Sequence, residues 1–427
     1  MLVLALLCAL NDPPNIVVLL ADDLGWGDVG WHRGEIPTPR LDALAATGAK
    51  LEAFYVQPVC SPTRAALLTG RYPMRHGLQV GVVRPWARYG LPLEERTLAD
   101  ALREAGYATS ICGKWHLGHA EPAYLPTRRG FDHQYGPYNG AIDYFTHDRD
   151  GGFDWHRNDA VCRDEGYATH LLAKEAAHVV RTHAGKKPFF LYVAFNAVHS
   201  PHQAPEKYME PFAAMKGERR KYAGMLAAMD EAVGTIVDAV DQAGARANTL
   251  FLFASDNGGP AVASNGPLRG GKGSLYEGGV RVPAFASWKG RIPEGAVVEE
   301  PLHMVDWYPT LLKLAGARLE QERPIDGRDA WPAIAEGGPS PHDDILLNTD
   351  PDSGAIRAGA WKLVVDKASV ALYNLKDDPF EKKDRAAENP AKVKELRERL
   401  DGYARQAAPP KGGPKPKNFV APKVWGE

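Results

Sequence analysis

NIVVLLADD, residues 15–23, is a continuous apolar run that ends in two adjacent aspartates, Asp22 and Asp23. Apolar runs without polar alternation are typical of strands buried on both faces, as in a parallel sheet. Three more runs end in polar residues in the same way. They are YATSIC at residues 107–112, PFFLYVAF at residues 188–195 and TLFLFA at residues 249–254. The four runs therefore predict four buried strands of one sheet.

Amphipathic segments separate these runs and predict helices, because their apolar residues recur at helical spacing. They are residues 41–47, 98–105, 167–183 and 222–243. Alternation of strands and helices predicts an α/β sandwich. Ligands in such sheets bind beyond the carboxyl ends of the strands. We therefore expect the polar residues that follow the runs to meet at one edge; they are Asp22, Asp23, Lys114, His116, His199, Asp256 and Asn257.

The composition changes after residue 315, where Pro and Gly become frequent and predict a connecting loop at residues 327–341. Short strands are predicted at residues 345–347, 356–358, 362–365 and 371–375, and a charged surface helix at residues 390–407. The Pro-, Gly- and Lys-rich stretch at residues 409–417 predicts an extended or disordered tail.

The whole pattern predicts an α/β fold. We expect a large mixed, mostly parallel sheet sandwiched by helices, with a smaller C-terminal α+β domain that carries a short antiparallel sheet. The predicted units are a main domain at residues 14–325, a C-terminal subdomain at residues 326–410 and a Pro- and Lys-rich tail at residues 411–427.

The formal net charge of −2 over 427 residues offers no electrostatic argument for nucleic acid as the main partner. The four cysteines are too few for a disulfide framework, although a Cys112–Cys162 bridge stays open. The segment MLVLALLCAL, Met1 to Leu10, is apolar but too short to span a bilayer. We interpret residues 1–13 as the remnant of a secretory signal, which predicts a secreted or periplasmic protein without a transmembrane segment; a first buried strand is the alternative.

Asp22, Asp23, Asp256 and Asn257 form two pairs of oxygen donors after two predicted strands. Hard oxygen ligands suit Ca²⁺ or Mg²⁺ and not Zn²⁺. Adjacent aspartates are also common in turns and helix caps, so either pair alone is weak support. Two pairs at one sheet edge together favour a metal site.

CSPTRAALLTGR at residues 60–71 and GYATSICGKWHLG at residues 106–118 are the most specific motifs of the chain. They resemble the marker sequences of the type I, formylglycine-dependent sulfatases of the alkaline phosphatase superfamily. Further blocks resemble the arylsulfatase B-like branch: ADDLGWGDVG at residues 21–30, LPTRRGFD at residues 125–132 and SDNGG at residues 255–259. The resemblance extends from about residue 14 to about residue 400.

The resemblance implies a role for each candidate residue. Cys60 would be oxidised to formylglycine by a separate modifying enzyme, and the aldehyde hydrate, bound to Ca²⁺, would be the nucleophile that passes through a covalent sulfo-enzyme intermediate. Mg²⁺ is the less favoured ion. Arg64 would hold this hydrate, and His116 and His199 would form the acid/base pair. Lys114 and Lys272 would bind the sulfate, together with His199. Asp22, Asp23, Asp256 and Asn257 would ligate the metal with the modified Cys60.

The predicted function is hydrolysis of a sulfuric ester in a sulfated carbohydrate or an aryl sulfate, with N-acetylgalactosamine 4-sulfate as the favoured sugar unit. Two alternatives stay open: a phosphonate monoester hydrolase or phosphodiesterase of the same superfamily, and a catalytically silent glycan-binding protein in which Cys60 is not converted. Trp86, Tyr144 and Trp155 offer an aromatic rim for sugar rings, but packing roles are favoured for them.

Overall fold

The first apolar run forms strand β1, Asn15–Ala21, near the middle of a ten-stranded mixed sheet. The computed structural model describes residues 13–427. The signal-like segment predicted at residues 1–13 lies outside the described residues except for Pro13, so export stays a prediction.

Strands run through both parts of the chain. Within residues 13–427 they are β1 Asn15–Ala21, β2 Ala49–Leu51, β3 Phe54–Tyr55, β4 Ala108–Gly113, β5 His133–Gly136, β6 Asp148–Arg149, β7 Gly152–Phe153, β8 His156–Arg157, β9 Ala160–Val161, β10 Phe189–Ala194, β11 Thr249–Ser255, β12 Ala284–Ser287, β13 Ala296–Val298, β14 Leu302–His303, β15 Ile345–Thr349, β16 Ser353–Ala358, β17 Trp361–Asp366 and β18 Ser369–Asn374.

The large sheet has the order β13-β2-β12-β11-β1-β10-β4-β5-β8-β9. The four predicted strands are β11, β1, β10 and β4, which are adjacent and parallel. Strand β5 continues the parallel part, whereas β12 and β8 pair in the antiparallel direction. Leu20 of β1 pairs with both Ala194 and Ala254, so the segments after these strands start at the same edge. The predicted mixed, mostly parallel core is confirmed.

Helices cover both faces of this sheet. In chain order they are α1 Pro39–Ala46, α2 Cys60–Thr69, α3 Leu98–Glu104, α4 Ala168–His183, α5 Glu206–Met209, α6 Gly217–Gln242, α7 Glu277–Val280, α8 Trp307–Leu314, α9 Trp331–Ala335 and α10 Pro390–Ala404. Helix α3 begins after a capping box in which Thr97 and Asp100 exchange hydrogen bonds. Helix α2 ends at Thr69 and is capped by Gly70, whose φ of 66° is in the left-handed region that glycine adopts without strain.

The two faces of β1 contribute to different cores because successive strand side chains point in opposite directions. Val17 and Leu19 pack with α4 and α6, whereas Val18 and Leu20 pack with α2, α3 and α8. Every residue of β1 is buried, which explains why residues 16–21 are all apolar. The prediction of strands buried on both faces is therefore confirmed.

The C-terminal unit is a four-stranded antiparallel sheet in the order β15-β16-β17-β18, with helix α10 packed on it. Leu396 and Leu400 of α10 contact a core that includes Ile356 and Leu363 of the sheet. The predicted α+β unit is confirmed, although α10 ends at Ala404 and not at Ala407. The boundaries proposed at residues 325 and 410 stay predictions.

The segment after α10 has no helix but packs on the main unit. The Phe153 N–H donates to the Lys423 carbonyl at 2.9 Å, and the Trp425 indole donates to the Arg149 carbonyl at 2.9 Å. The tail is therefore irregular and attached, which agrees with the extended alternative. Among the described helices, none combines the length and apolar character that crossing a bilayer requires.

Candidate active site

The polar residues that follow the parallel strands meet at the carboxyl edge of the sheet, as predicted. The Asp256 N–H donates to the Ala21 carbonyl at 3.0 Å, so the segment after β11 continues beside the end of β1. The Asp22 N–H donates to the Ala197 carbonyl at 3.0 Å and joins β1 to the segment after β10. Backbone pairing thus brings residues more than 170 positions apart to one point.

Cys60 is the first residue of helix α2 and lies against this edge. Its Sγ is 3.5 Å from Asp22 Oδ1, and the side chain is only 2% exposed. Burial, and after it the charge of Asp256, raises the pKa of the Cys60 thiol well above its ordinary value. An unmodified Cys60 would therefore stay a neutral thiol at physiological pH and would be a poor nucleophile.

The donor atoms around Cys60 suit a hard cation. Ligand atoms of Asp22, Asp23, Cys60 and His199 all lie within 4.8 Å of one another. Asn257 adds a further donor: its side chain is fully buried and its Oδ1 has no hydrogen-bond partner, while Nδ2 donates to Asp23 Oδ1 at 2.7 Å. An orphaned buried oxygen beside two carboxylates fits a divalent metal ion. The structure thus supports a metal site at the predicted edge.

Asp256, the fourth predicted ligand, turns one oxygen toward Arg64 and the other toward the backbone of the site. Its Oδ1 accepts the Asp23 N–H at 3.4 Å, a long hydrogen bond. Asp256 Oδ1 therefore lies at the same cluster as the other ligands, and the four predicted oxygen residues are brought together.

Two lysines flank the carboxylates from different depths. Lys114 Nζ lies 2.7 Å from Asp22 Oδ2, and both side chains are fully buried. Lys272 Nζ lies 2.7 Å from Asp23 Oδ1, and its side chain is 24% exposed. Burial acts to raise the pKa of Asp22, but the charges of Lys114 and His199 outweigh it and hold that pKa below its ordinary value. Of these two lysines, Lys114 therefore lies at the buried base of the site, which we call its floor, and Lys272 lies at the side that faces solvent.

Arg64 is fully buried on the second turn of helix α2 and contacts two of the segments that form the site. Its Nε and Nη2 donate to Asp256 Oδ2 at 3.1 and 2.8 Å, and its Nη1 donates to the Lys114 carbonyl at 3.1 Å. Burial acts to lower the pKa of Arg64, whereas Tyr192 and Asp256 raise it, and the net change is upward. Arg64 thus stays charged and joins helix α2 to the segments that follow strands β11 and β4.

His116 follows β4 and holds a left-handed backbone, with φ of 57°. Its Nε2 lies 3.1 Å from the Val83 carbonyl, whereas Nδ1 has no hydrogen-bond partner and is buried. Because a carbonyl only accepts, Nε2 carries the proton in the neutral ring and Nδ1 is left with a free lone pair. Burial, and after it the charge of Lys114, holds the pKa of His116 well below its ordinary value. His116 is thus held neutral, with Nδ1 as its one unoccupied acceptor.

His199 follows β10 and is held by its own turn. Nδ1 donates to the Ser200 carbonyl at 2.5 Å, which leaves Nε2 facing Asp23 Oδ2 at 3.7 Å. Burial lowers the pKa of His199 and outweighs the opposing charges of Asp22 and Asp23. Nε2 is thus the nitrogen available to a ligand bound between Asp23 and solvent.

Sequence reasoning missed Ser61 and Tyr192, which support the site. Ser61 Oγ donates to the His116 carbonyl at 2.8 Å and accepts the Val83 N–H at 3.0 Å. Tyr192 Oη lies 3.5 Å from Arg64 Nη1. The only sequence signal for Ser61 was its position beside Cys60. For Tyr192, the signal was a polar hydroxyl within the otherwise apolar run of strand β10.

Two open assignments are resolved by the structure. Tyr144 and Trp155 are 1% and 0% exposed, so the packing interpretation is confirmed for both and a rim formed by them is excluded. Trp86 is partly exposed and packs edge-on against Phe419. Cys112 and Cys162 are free thiols, so no bridge joins them.

The profile of the family described as Sulfatase matches residues 14–317. The chain belongs to the sulfatase family. This sulfatase is 37% identical to arylsulfatase J of Mus musculus over 97% of this chain and 80% of that protein. It is 38% identical to arylsulfatase A of Homo sapiens over 85% of this chain and 76% of that protein. It is therefore a type I sulfatase of the alkaline phosphatase superfamily, an enzyme that hydrolyses sulfate esters.

A solved structure shows the same fold over more than nine-tenths of the chain. The crystal structure of Ps i-CgsB superimposes on the sulfatase with a TM-score of 0.88 and 35% identity, and covers 93% of this chain and 94% of that one. The same protein has been crystallised with k-i-k-neocarrahexaose. The assignment of our sulfatase to an arylsulfatase B-like branch stays a prediction.

Proposed function

We propose that this sulfatase removes sulfate from a sulfated carbohydrate, and from aryl sulfates, at the cluster around Cys60. One observation carries the proposal: Cys60 Sγ lies 3.5 Å from Asp22 Oδ1, and Asp22, a proposed metal ligand, is paired with the buried cation Lys114. The arylsulfatase relatives and the neighbour that binds neocarrahexaose support this substrate class.

The residues fit a bound Ca²⁺ and a formylglycine at position 60. When present, a formylglycine hydrate supplies an oxygen nucleophile in place of the thiol, and Ca²⁺ supplies positive charge that favours its ionised form. Asp22, Asp23, Asp256 and Asn257 would hold the ion through oxygen atoms. Ca²⁺ is proposed over Mg²⁺ because it accepts more oxygen ligands in a less regular geometry.

Lys114 and Lys272 bind the sulfate in this proposal. A sulfate ester gains negative charge on its leaving oxygen during cleavage, and fixed cations in a site with little water stabilise that charge. Lys272 is the partly exposed cation. Burial acts to lower its pKa, but the negative charges of Asp23 and Asp22 help to raise it, so the ammonium stays protonated. We therefore assign Lys272 to the outer side of the sulfate and Lys114 to the inner side.

The histidines move protons at defined atoms. His199 Nε2, which faces Asp23, in its protonated form gives a proton to the departing alcohol oxygen. His116 Nδ1 has a free lone pair and takes a proton from the nucleophile side of the site when sulfate is released. Arg64 is proposed to hold the formylglycine hydrate, as the resemblance implies. Its contacts with Asp256 also support a role in holding one predicted metal ligand beside the helix that carries position 60.

N-acetylgalactosamine 4-sulfate is the favoured sugar unit, and it is proposed from the sequence resemblance alone. Relatives named N-acetylgalactosamine-6-sulfatase support the same sugar but name the 6-sulfate, so the 6-sulfated unit is the competing candidate. The formylglycine-generating enzyme is the proposed modifying partner, and the site of action is proposed to be secreted or periplasmic. Fractionation of the source cells followed by detection of the protein tests the last point.

The test of the function combines mass spectrometry with a substrate panel. Protein made in its own host is digested, and the peptide that contains Cys60 is expected to carry an aldehyde in place of the thiol. The converted protein is then assayed on p-nitrophenyl sulfate, on 4- and 6-sulfated N-acetylgalactosamine, on sulfated carrageenan oligosaccharides and on phosphonate monoesters and phosphate diesters.

We expect the highest kcat/KM on a sulfated sugar and no sulfatase activity in Cys60→Ala. Higher kcat/KM on phosphonates or phosphate diesters would instead support the phosphohydrolase alternative. An unconverted Cys60 together with glycan binding but no turnover would support the silent glycan-binding alternative. Full activity of Cys60→Ala would sink the proposed nucleophile.

A further inference from the structure

The loop that carries Lys272 is held at both ends by the C-terminal unit. We call residues 269–279 the Lys272 loop. The loop closes on itself, because the Gly278 N–H donates to the Arg269 carbonyl at 2.7 Å. Lys272 is therefore positioned by whatever holds Arg269 at one end and the turn around Glu277 at the other.

Glu277 belongs to a fully buried ion cluster with Lys362 and Glu381. Lys362 Nζ lies 2.8 Å from Glu277 Oε1 and 2.9 Å from Glu381 Oε1. The Glu277 N–H donates to Glu381 Oε2 at 2.7 Å, and all three side chains have no exposed surface. Lys362 lies on β17 and Glu381 follows β18, so the cluster joins the C-terminal sheet to the Lys272 loop.

Arg269 makes the second attachment. Its Nη1 donates to the Tyr373 hydroxyl at 2.9 Å and to the Glu381 carbonyl at 3.0 Å. The guanidinium also lies over the Tyr276 ring, 3.9 Å from its centroid. Glu381 thus contacts both ends of the loop, with its carbonyl at Arg269 and its carboxylate at Glu277.

The end of the Lys272 loop at Gly279 also contacts the turn at residues 257–259, which begins with the proposed metal ligand Asn257. The Gly258 N–H donates to the Gly279 carbonyl at 3.0 Å, directly after Asn257. A Cβ atom at Gly258 would lie 1.8 Å from the Gly278 carbonyl oxygen, so the two turns approach as closely as glycine allows. The Lys272 N–H donates to the Gly259 carbonyl at 3.0 Å. A displacement at Glu277 would therefore be passed to Lys272 and to the turn of Asn257.

We propose that Lys362 and Glu381 are positioning residues for sulfate binding, which act through Glu277 and Arg269 on Lys272. They do not touch the substrate. The inference rests on the proposed role of Lys272 as a sulfate-binding cation. It assigns the small C-terminal sheet a part in catalysis, which is to hold one outer cation of the site in place.

The test is a double-mutant cycle with two readouts. Lys362→Met and Glu381→Gln are made in the native chain and in Lys272→Ala, and kcat/KM on p-nitrophenyl sulfate and the inhibition constant of inorganic sulfate are measured. In the native background we expect kcat/KM to fall about 10- to 100-fold and sulfate inhibition to weaken with it. In Lys272→Ala the same changes should lower kcat/KM less than about threefold, because the residue they position is gone.

Two further variants keep the test interpretable. Tyr373→Phe removes only the hydroxyl that Arg269 contacts, and we expect a smaller, about threefold loss that also vanishes in Lys272→Ala. Arg75→Met is the matched control, since Arg75 joins the main unit to Asp326 and Gln406 away from the Lys272 loop. Arg75→Met should lower thermal stability without changing sulfate inhibition.

The outcomes separate the two proposals. Losses of equal size in both backgrounds would mean that Lys362 and Glu381 act only on the fold, which overturns the positioning role. Normal kcat/KM in Lys272→Ala would overturn the role of Lys272 in sulfate binding and the positioning proposal with it. Tyr373→Phe gives this decision even where the variants of the buried cluster do not fold.

Discussion

Lys114 Nζ and Asp22 Oδ2 are 2.7 Å apart with both side chains fully buried, so the floor of the site is a desolvated ion pair. A buried pair of this kind is retained for function more readily than for stability, because two desolvated charges gain little net free energy. The same lysine can turn its charge toward a bound sulfate. The pair therefore connects metal ligation with anion binding.

Replacing Lys114 by Met is expected to lower kcat/KM on p-nitrophenyl sulfate by about 100- to 1,000-fold, the size typical of removing one fixed stabilising group. Steady-state kinetics on converted protein measures this. Lys289→Met is the control, because Lys289 is exposed and belongs to the turn after β12, which supplies none of the site residues. Equal kcat/KM in Lys114→Met and the control would contradict the role of Lys114.

Replacing Arg64 by Met is expected to lower the free energy of unfolding by about 3 to 5 kcal/mol, because Asp256 would be left buried without its counter-charge. Arg64→Lys should lose less, although one ammonium cannot reproduce the three contacts of the guanidinium. Urea unfolding measures both. The exposed pair Arg397–Asp401 supplies the control, and Arg397→Met should change stability by less than about 1 kcal/mol.

Removing the metal is expected to destabilise the fold as well as abolish activity. Ca²⁺ at about 100 times its Kd should add about 2.7 kcal/mol to the stability of protein treated with EGTA, and Mg²⁺ should add less. Thermal unfolding measures this without any need for turnover. Asn257→Ala removes the orphaned Oδ1 and should reduce the Ca²⁺-dependent shift, whereas Asn418→Ala on the exposed tail should leave it unchanged. A shift of equal size in both variants would argue against Asn257 as a ligand.

Asp230 on α6 is expected to make stability depend on pH. It accepts the Leu41 N–H at 2.8 Å and the Arg40 N–H at 3.0 Å in the first turn of α1, and burial raises its pKa from 3.8 to about 6. The unfolded chain thus releases this proton at lower pH than the folded one. Protonated Asp230 therefore favours the folded state. This contribution to the free energy of unfolding is complete below pH 3.8 and is lost as the pH rises through about 6.

Asp230→Asn keeps an oxygen acceptor but cannot ionise, so it isolates this effect. The stability of the native chain relative to Asp230→Asn should fall by about 2 to 3 kcal/mol between pH 4 and 6, which corresponds to the shift in pKa. Urea unfolding at several pH values measures the difference. A difference that does not change with pH would show that Asp230 titrates normally.

The four central strands could be predicted because each is a local apolar run whose meaning does not depend on distant residues. The same reasoning predicted that Asp22, Lys114, His199 and Asp256 would meet, since parallel strands end at a common edge. The order of the strands could not be derived in this way. Strand β11 lies beside β1 although more than 220 residues separate them, and that choice is made by packing of the whole sheet.

The partners of the site residues also required the folded chain. The role predicted for Arg64, to hold the formylglycine hydrate, stays a prediction. Its contacts with Asp256 and the Lys114 carbonyl were not indicated by the sequence. Ser61 was missed because one small polar residue in a motif carries no signal of the two backbone groups that it joins.

The sequence by itself determined which chemical groups this sulfatase has and at which strand ends they lie, because apolar runs and short motifs are local properties. Only the tertiary structure decided which groups pair and how deeply each is buried. It placed Lys114 in the floor, left Lys272 partly exposed and connected the Lys272 loop to Lys362 and Glu381. Those relations arise from long-range packing and desolvation, which depend on the positions of all neighbouring atoms and not on the order of residues along the chain.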